Sequence, residues 1–323
     1  MLKRWILAWS LAVVAGVLSG FSVSQPGSVA VQSTRGLPAG ARLNWSDGVL
    51  IVEGQGTAPS GLTLAQQEVR ALAAARADAQ RLLLGALRGV QVTSTTTVAN
   101  FELQSDVIRT SIRGLLLGAV PVQGSEKLEL KPDGSFIAKV SYSVAITGVG
   151  SLAQVLYPEL AAQTVINPPR LAVPNVLPSL PSEPVTLANA LRSPVVLAAG
   201  SAKPMYSGLI VDVRGKGFSP CLSPKLQVAD GSEVWGSFRE ASEFIQNAGT
   251  AAFRARVEDA ASLSERGGPG QLIVKGVRVL GKNACNVVVS DADAALILKS
   301  NAEMLKSNED LEFLQNSKVT FVQ

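Results

Sequence analysis

The chain offers few side chains able to do chemistry, and their types and spacing close more routes than they open. It contains no histidine. That removes Ser-His-Asp and Cys-His triads, His-ligated zinc and the commonest general base. Its two cysteines, Cys221 and Cys285, are too few for a four-cysteine zinc site and form no C-x-x-C redox motif. No phosphate-loop motif occurs, and Gly215-Lys216-Gly217 runs into Phe-Ser-Pro-Cys, which ends the dinucleotide pattern after its second glycine. Asp212 and Arg214 alternate along an apolar run, which places a carboxylate and a guanidinium on one strand face. There they either hold a ligand or pair at a sheet edge. Asp291 and Asp293 have no further acids at calcium-loop spacing and are expected to cap a helix. Paired carboxylates can run glycoside chemistry, yet an aromatic content of 5% is low for a sugar cleft. The expectation is a protein that is not an enzyme, with no catalytic residue, cofactor or metal.

The elements that would position these residues follow from patterning. Lys3 and Arg4 precede an apolar run from Trp5 to Val17, and small residues lead to Gln25-Pro26. This is the form of a secretory signal peptide over residues 1–24, the alternative being an uncleaved anchor. Residues 25–42 are expected to be a flexible tether. Removing the leader lowers the formal charge from +4 to +2, too little to attract nucleic acid. In an oxidising compartment Cys221 and Cys285 either form a disulfide or remain two buried thiols.

Val49 to Gly54 is β-rich and is expected to end in a Gly54-Gln55-Gly56 turn. Thr63 caps a helix through Arg88, with Ala65, Val69, Leu72, Ala75, Ala79, Leu82, Ala86 and Val90 on one face. Val90 to Phe101 alternates as a strand. Ser105-Asp106 starts a second helix that buries Val107, Ile108, Ile112 and Leu115. Glu126–Leu130 and Phe136–Ile146 flank the hairpin turn Pro132-Asp133-Gly134.

From Pro158 to Pro204 recurrent prolines predict an extended spacer, apolar enough at Leu171, Val173, Val176, Leu177 and Leu180 to dock on a surface. Strands follow at Gly208–Gly215, Leu226–Val228, Glu233–Trp235, Leu272–Leu280, Asn286–Ser290 and Val319–Val322. Helices are expected at Ala251–Leu263 and from Ser290-Asp291-Ala292-Asp293 to Ser300.

The stretch from Gly54-Gln55-Gly56, through the Ala/Leu-rich helix and Gly89-Val90-Gln91-Val92-Thr93-Ser94-Thr95-Thr96-Thr97-Val98, to Arg113-Gly114-Leu115-Leu116-Leu117-Gly118-Ala119 resembles the LPP-twenty type of bacterial outer-membrane lipoproteins, some of which serve the flagellum. The resemblance spans about residues 48–148. It implies an envelope address and a polar role for Arg113, expected to hold a helix end by bonding carbonyls. The lipid-anchor cysteine of that family is absent here. The C-terminal half, with Gly-Leu-Ile-Val-Asp-x-Arg-Gly and Val-Ser-Asp-Ala-Asp-Ala-Ala, is similar to an uncharacterised domain of exported bacterial proteins.

Together these readings predict an α+β protein of two small α/β-sandwich domains, 43–150 and 205–323, joined by a Pro-rich spacer over 151–204. It would be exported to the periplasm or cell envelope and act structurally, through contacts with other envelope proteins or with itself. Membrane contact would come only through an uncleaved leader. The alternative is a periplasmic small-ligand-binding protein with Asp212 and Arg214 at the mouth of an interdomain cleft.

Overall fold

Thr63 and Gln66 set the longest helix. The Thr63 hydroxyl accepts from Gln66 N at 3.3 Å while Gln66 Oε1 accepts from Thr63 N at 3.2 Å, a reciprocal cap for α1 (Leu64–Gly89). In the computed structural model, which describes residues 30–166, 168–172, 206–238, 241–266, 270–307, 314 and 317–323, α1 lies across a six-stranded antiparallel sheet. The sheet is built from β1 (Gln32–Ser33), β2 (Ala41–Asn44), β3 (Val49–Ala58), β4 (Val120–Pro121), β5 (Lys127–Leu130) and β6 (Phe136–Ala145). Its order is β1-β2-β3-β6, with β4 and β5 both on the outer side of β6. β3 and β6 pair along their full length, from Val49 opposite Ala145 to Ala58 opposite Phe136.

Gly54 and Gly56 lie inside β3 and form no turn, which corrects the expected break. Alternate residues share a strand face, so both glycines point at α1. A Cβ on Gly54 would fall 2.6 Å from Ala79 Cα, and one on Gly56 would fall 2.7 Å from Ala74 C. Ala71, Ala75 and Ala79, one helical turn apart, complete a seam in which backbone meets backbone. The helical stripe is displaced toward its start: Ala65 and Val69 are exposed, and Gln67 and Ala71 take the buried places.

Four further expectations are corrected here. The tether over 25–42 contains β1 and the start of β2, held because Val31 and Ala41 are buried in the core. Val90–Phe101 is not a strand. Thr93 Oγ1 accepts from Thr96 N at 3.2 Å and Asn100 Oδ1 from Thr97 N at 2.9 Å, so local polar bonds replace a ladder and start α2 (Val98–Gln104). The second helix is α3 (Asp106–Leu117), capped by Ser105 and burying Ile108 and Ile112, but Val107 is exposed. The spacer over 151–204 begins as α4 (Leu152–Ile166). It keeps Pro158 in its interior because Leu152, Ala153, Leu156, Tyr157, Leu160 and Ala161 form a buried stripe that outweighs one lost backbone bond. Leu171 is exposed and its backbone bridges Glu233, whereas Val173 to Pro204 and the leader 1–24 lie outside the described residues.

The second domain carries two sheets. β7 (Leu209–Asp212), β10 (Ala252–Arg254), β11 (Leu272–Lys275) and β14 (Val319–Val322) are all parallel, in the order β10-β14-β7-β11. The other sheet orders β12 (Arg278–Leu280), β13 (Asn286–Val288), β8 (Lys225–Gln227) and β9 (Glu233–Trp235). Residues 251–263 were expected as one helix; Phe253 instead fills the core from β10, and only α6 (Val257–Ala261) is helical. α5 (Glu243–Ala248) had no expectation attached, and α7 (Asp291–Ser307) starts where Ser290 Oγ accepts from Asp293 N at 3.0 Å. The chain is α+β with two domains, and one continuous hydrophobic core runs through both.

Candidate functional site

The domains meet through the 91–94 loop. Gln91 O and Val92 O accept from Leu222 N (3.0 Å) and Ser223 N (2.8 Å), and Ser94 O accepts from Asn283 N (2.9 Å). Beside this junction opens a cleft of about 480 Å³ between the two halves. Its first wall is the β2–β3 turn. Asn44 Oδ1 accepts from Ser46 N and Asp47 N, and Gly48 takes φ +64° to close the turn. The turn presents Trp45, whose ring meets Phe253 edge-on at 5.4 Å. The opposite wall is the α5–β10 segment and Arg254.

Arg254 Nη1 donates to Ser46 O (3.1 Å) and Phe253 O (2.8 Å), a direct tie between the domains. Its Nε and Nη2 make no hydrogen bond among the described residues. Burial pulls its pKa down, while Glu265, Asp47 and Asp259 oppose that shift from a distance.

Deeper in the cleft, Tyr157 donates its hydroxyl to Leu222 O at 3.1 Å and accepts from Thr250 N at 3.3 Å. Burial pushes this phenol up to about 12, so it stays neutral and structural. Arg266 is fully buried. Its guanidinium donates to Gly249 O at 2.9 Å, to Thr250 O at 3.4 Å, and to Ala248 O and Ser317 O, and lies over the Phe244 ring. Burial lowers its pKa to about 10, which leaves it cationic at neutral pH. Its bonds satisfy the orphan carbonyls at the end of α5 and join them to the start of β14. The sequence marked neither arginine, because they serve backbone carbonyls, which carry no residue-specific signal.

The expected site residues lie elsewhere. Asp212 ends β7 and Arg214 lies beyond it, so the two do not share a strand face. They bind each other instead: Arg214 Nε donates to Asp212 Oδ1 at 2.9 Å and Nη2 to Oδ2 at 2.7 Å. Arg214 holds the Asp212 carboxyl below its ordinary pKa. Neither residue reaches the cleft. Arg113 is exposed on α3 and bonds no carbonyl among the described residues, because its side chain lies in solvent. Cys221 and Cys285 are joined as a disulfide, and Cys221 lines the cleft. Among the described residues no three His, Cys, Asp or Glu side chains gather as a metal site requires, and no helix is long and apolar enough to cross a membrane.

Residues 208–323 match the family described as Treponema pallidum Tp0624, second domain. The match covers the second domain from the start of β7 to the end of the chain. It agrees with the resemblance of this half to a domain of bacterial proteins and leaves the LPP-twenty resemblance of the first half without a matching family. No curated protein matches the chain.

Proposed function

We propose that the protein is an exported, non-enzymatic component of the bacterial envelope that works by protein–protein contact. One observation carries the reading: among the described residues α1 covers one face of the first-domain sheet, no helix covers the other, and nothing pairs with its β5 edge, where Leu128 and Leu130 are exposed. The other face presents Arg42, Ile51, Gln55, Thr57 and Lys139. The signal-peptide pattern over residues 1–24 supports the envelope address. The finer assignment to an LPP-twenty type protein, with or without a flagellar role, is part of this proposal and rests on the residue motifs. The test is crosslinking of the tagged protein in living cells. Recovery from the envelope fraction with other envelope components, or as multiples of itself, is expected; a cytosolic monomer would overturn the reading.

A second reading is favoured by the interdomain cleft. Arg254 offers two unused donors beside Trp45 and Phe253, which suits a small ligand carrying a carboxylate or phosphate. Binding would raise the melting temperature in the presence of such ligands. No shift across a panel of anionic metabolites would remove this reading.

A further inference from the structure

The β5 edge of the first-domain sheet, unpaired among the described residues, has a charge and hydrogen-bond pattern that completes itself. Lys131 N donates to Ser135 O at 2.8 Å, which closes the β5–β6 hairpin. In an antiparallel ladder, backbone groups face alternate sides. Glu129 and Lys127 therefore turn their N–H and C=O toward β6, and Leu128 and Leu130 turn theirs outward. Among the described residues nothing accepts or donates there.

The side chains divide by face. Leu128 and Leu130 lie opposite Ala138 and Phe136, on the helix side of the sheet. α1 turns the stripe Val69, Leu72, Arg76 toward this edge, since Arg76 reaches Glu126 at 2.7 Å. Val69 is 67% exposed, Leu128 40% and Leu130 54%, so the apolar rim stands open.

On the other face Lys127 sits directly across from Lys139, a like-charge pairing that costs stability. Lys139 is drawn to Glu53 at 3.5 Å. Lys127 and Glu129 belong to no ion pair among the described residues. Charged edges commonly keep sheets apart. Here the charges alternate in sign, and an antiparallel copy turned about Leu128 sets each Lys127 against Glu129 of the other copy. Leu128 then exchanges both outward backbone bonds with Leu128 of the second copy.

We propose that β5 pairs antiparallel with β5 of a second copy of this chain, joining two first-domain sheets into one across a two-fold axis. This rests on the contact reading above and names its partner. The chain leaves the ladder between β4 and β5, which limits the pairing to the segment Lys127–Leu130 and makes the contact a reversible one.

The test is sedimentation of the full chain, purified as the cell processes it, over a concentration series. A monomer–dimer equilibrium is expected. Lys127→Glu and Glu129→Lys should each raise the dissociation constant about tenfold, because two attractive pairs become two repulsive ones. An equal mixture of the two variants should dimerise as wild type does, since the mixed dimer regains both Lys–Glu pairs. Circular dichroism establishes that each variant is folded, and Leu128→Cys should crosslink to itself on oxidation. A wild-type monomer throughout, a dimer indifferent to both reversals, or a mixture no tighter than its parts would overturn the proposal. If any of these occurs while crosslinking in cells still recovers other envelope components, this inference falls and the contact reading stands. A sound dimer found only in the cytosol would do the reverse.

Discussion

Substituting Gly54 by alanine tests the seam on which the first domain is built. The new Cβ would lie 2.6 Å from Ala79 Cα and nearer still to Ala79 N and Ala75 O. Carbon atoms rest at about 3.5–4.0 Å, so α1 must lift from the sheet by about 1 Å. A gap of that size forfeits a quarter to a half of each contact it opens, and the whole buried stripe from Ala71 to Leu87 shares the movement. Overpacking of this kind costs about 1–3 kcal/mol, while replacing a strand glycine returns about 0.5–1 kcal/mol. The expected net loss is about 1 kcal/mol, read as a lower urea midpoint at unchanged slope. Adding Gly56→Ala should cost less than its single effect, because the helix has already moved. The control is Gly114→Ala on the exposed side of α3, where an added Cβ meets nothing within 4 Å. That change should stabilise by about 0.5–1 kcal/mol. A Gly54→Ala protein within about 0.5 kcal/mol of wild type would refute the close-packed seam.

Breaking the Cys221–Cys285 bond, which spans 64 residues, should cost about 4 kcal/mol in the chain-entropy account. The comparison is the melting temperature with and without reductant, alongside a Cys221→Ser, Cys285→Ser double variant. Tyr157, raised to about 12 in the fold against about 10 for a free phenol, stabilises below pH 10 and loses that contribution between about 10 and 12. Arg266, lowered to about 10, works in the opposite sense over the same range. The difference between wild type and Tyr157→Phe isolates the phenol: the variant should show a flatter alkaline limb and lack a tyrosinate step near pH 12. Arg214→Ala should let the Asp212 carboxyl rise toward its ordinary pKa, measurable by carboxyl NMR titration. With Arg214 half exposed, stability should change by less than about 1 kcal/mol.

The parts of the fold visible in the sequence were those whose signals are local. The α1 cap needs only Thr63 and Gln66, the β5–β6 hairpin needs Pro132-Asp133-Gly134, and the α7 start needs Ser290 and Asp293. Gly54 and Gly56 looked like a turn because a glycine pair has the same local signature whether the chain bends or a helix comes close. The choice between them lies in Ala71, Ala75 and Ala79, which approach only in the fold. Pro158 looked like a spacer residue because its local penalty is visible and the burial of Leu156, Tyr157 and Leu160 is not. The same limit hid which residues line the interdomain cleft. Arg254 and Arg266 bond backbone carbonyls, which every residue has, so no side-chain partner in the sequence points to them. Asp212 and Arg214 were conspicuous because they are neighbours, and neighbours satisfy each other.

The backbone bonds from Gln91, Val92 and Ser94 to Leu222, Ser223 and Asn283 make the two halves halves of one lock. A chain cut between Ala172 and Tyr206 would leave two fragments that hold together and co-purify. The matched segment 208–323 could not be lifted out unchanged, because its surface around Leu222 and Asn283 is finished by the other half. Any protein that uses this module with a different companion has to bring its own strip of backbone to the same place.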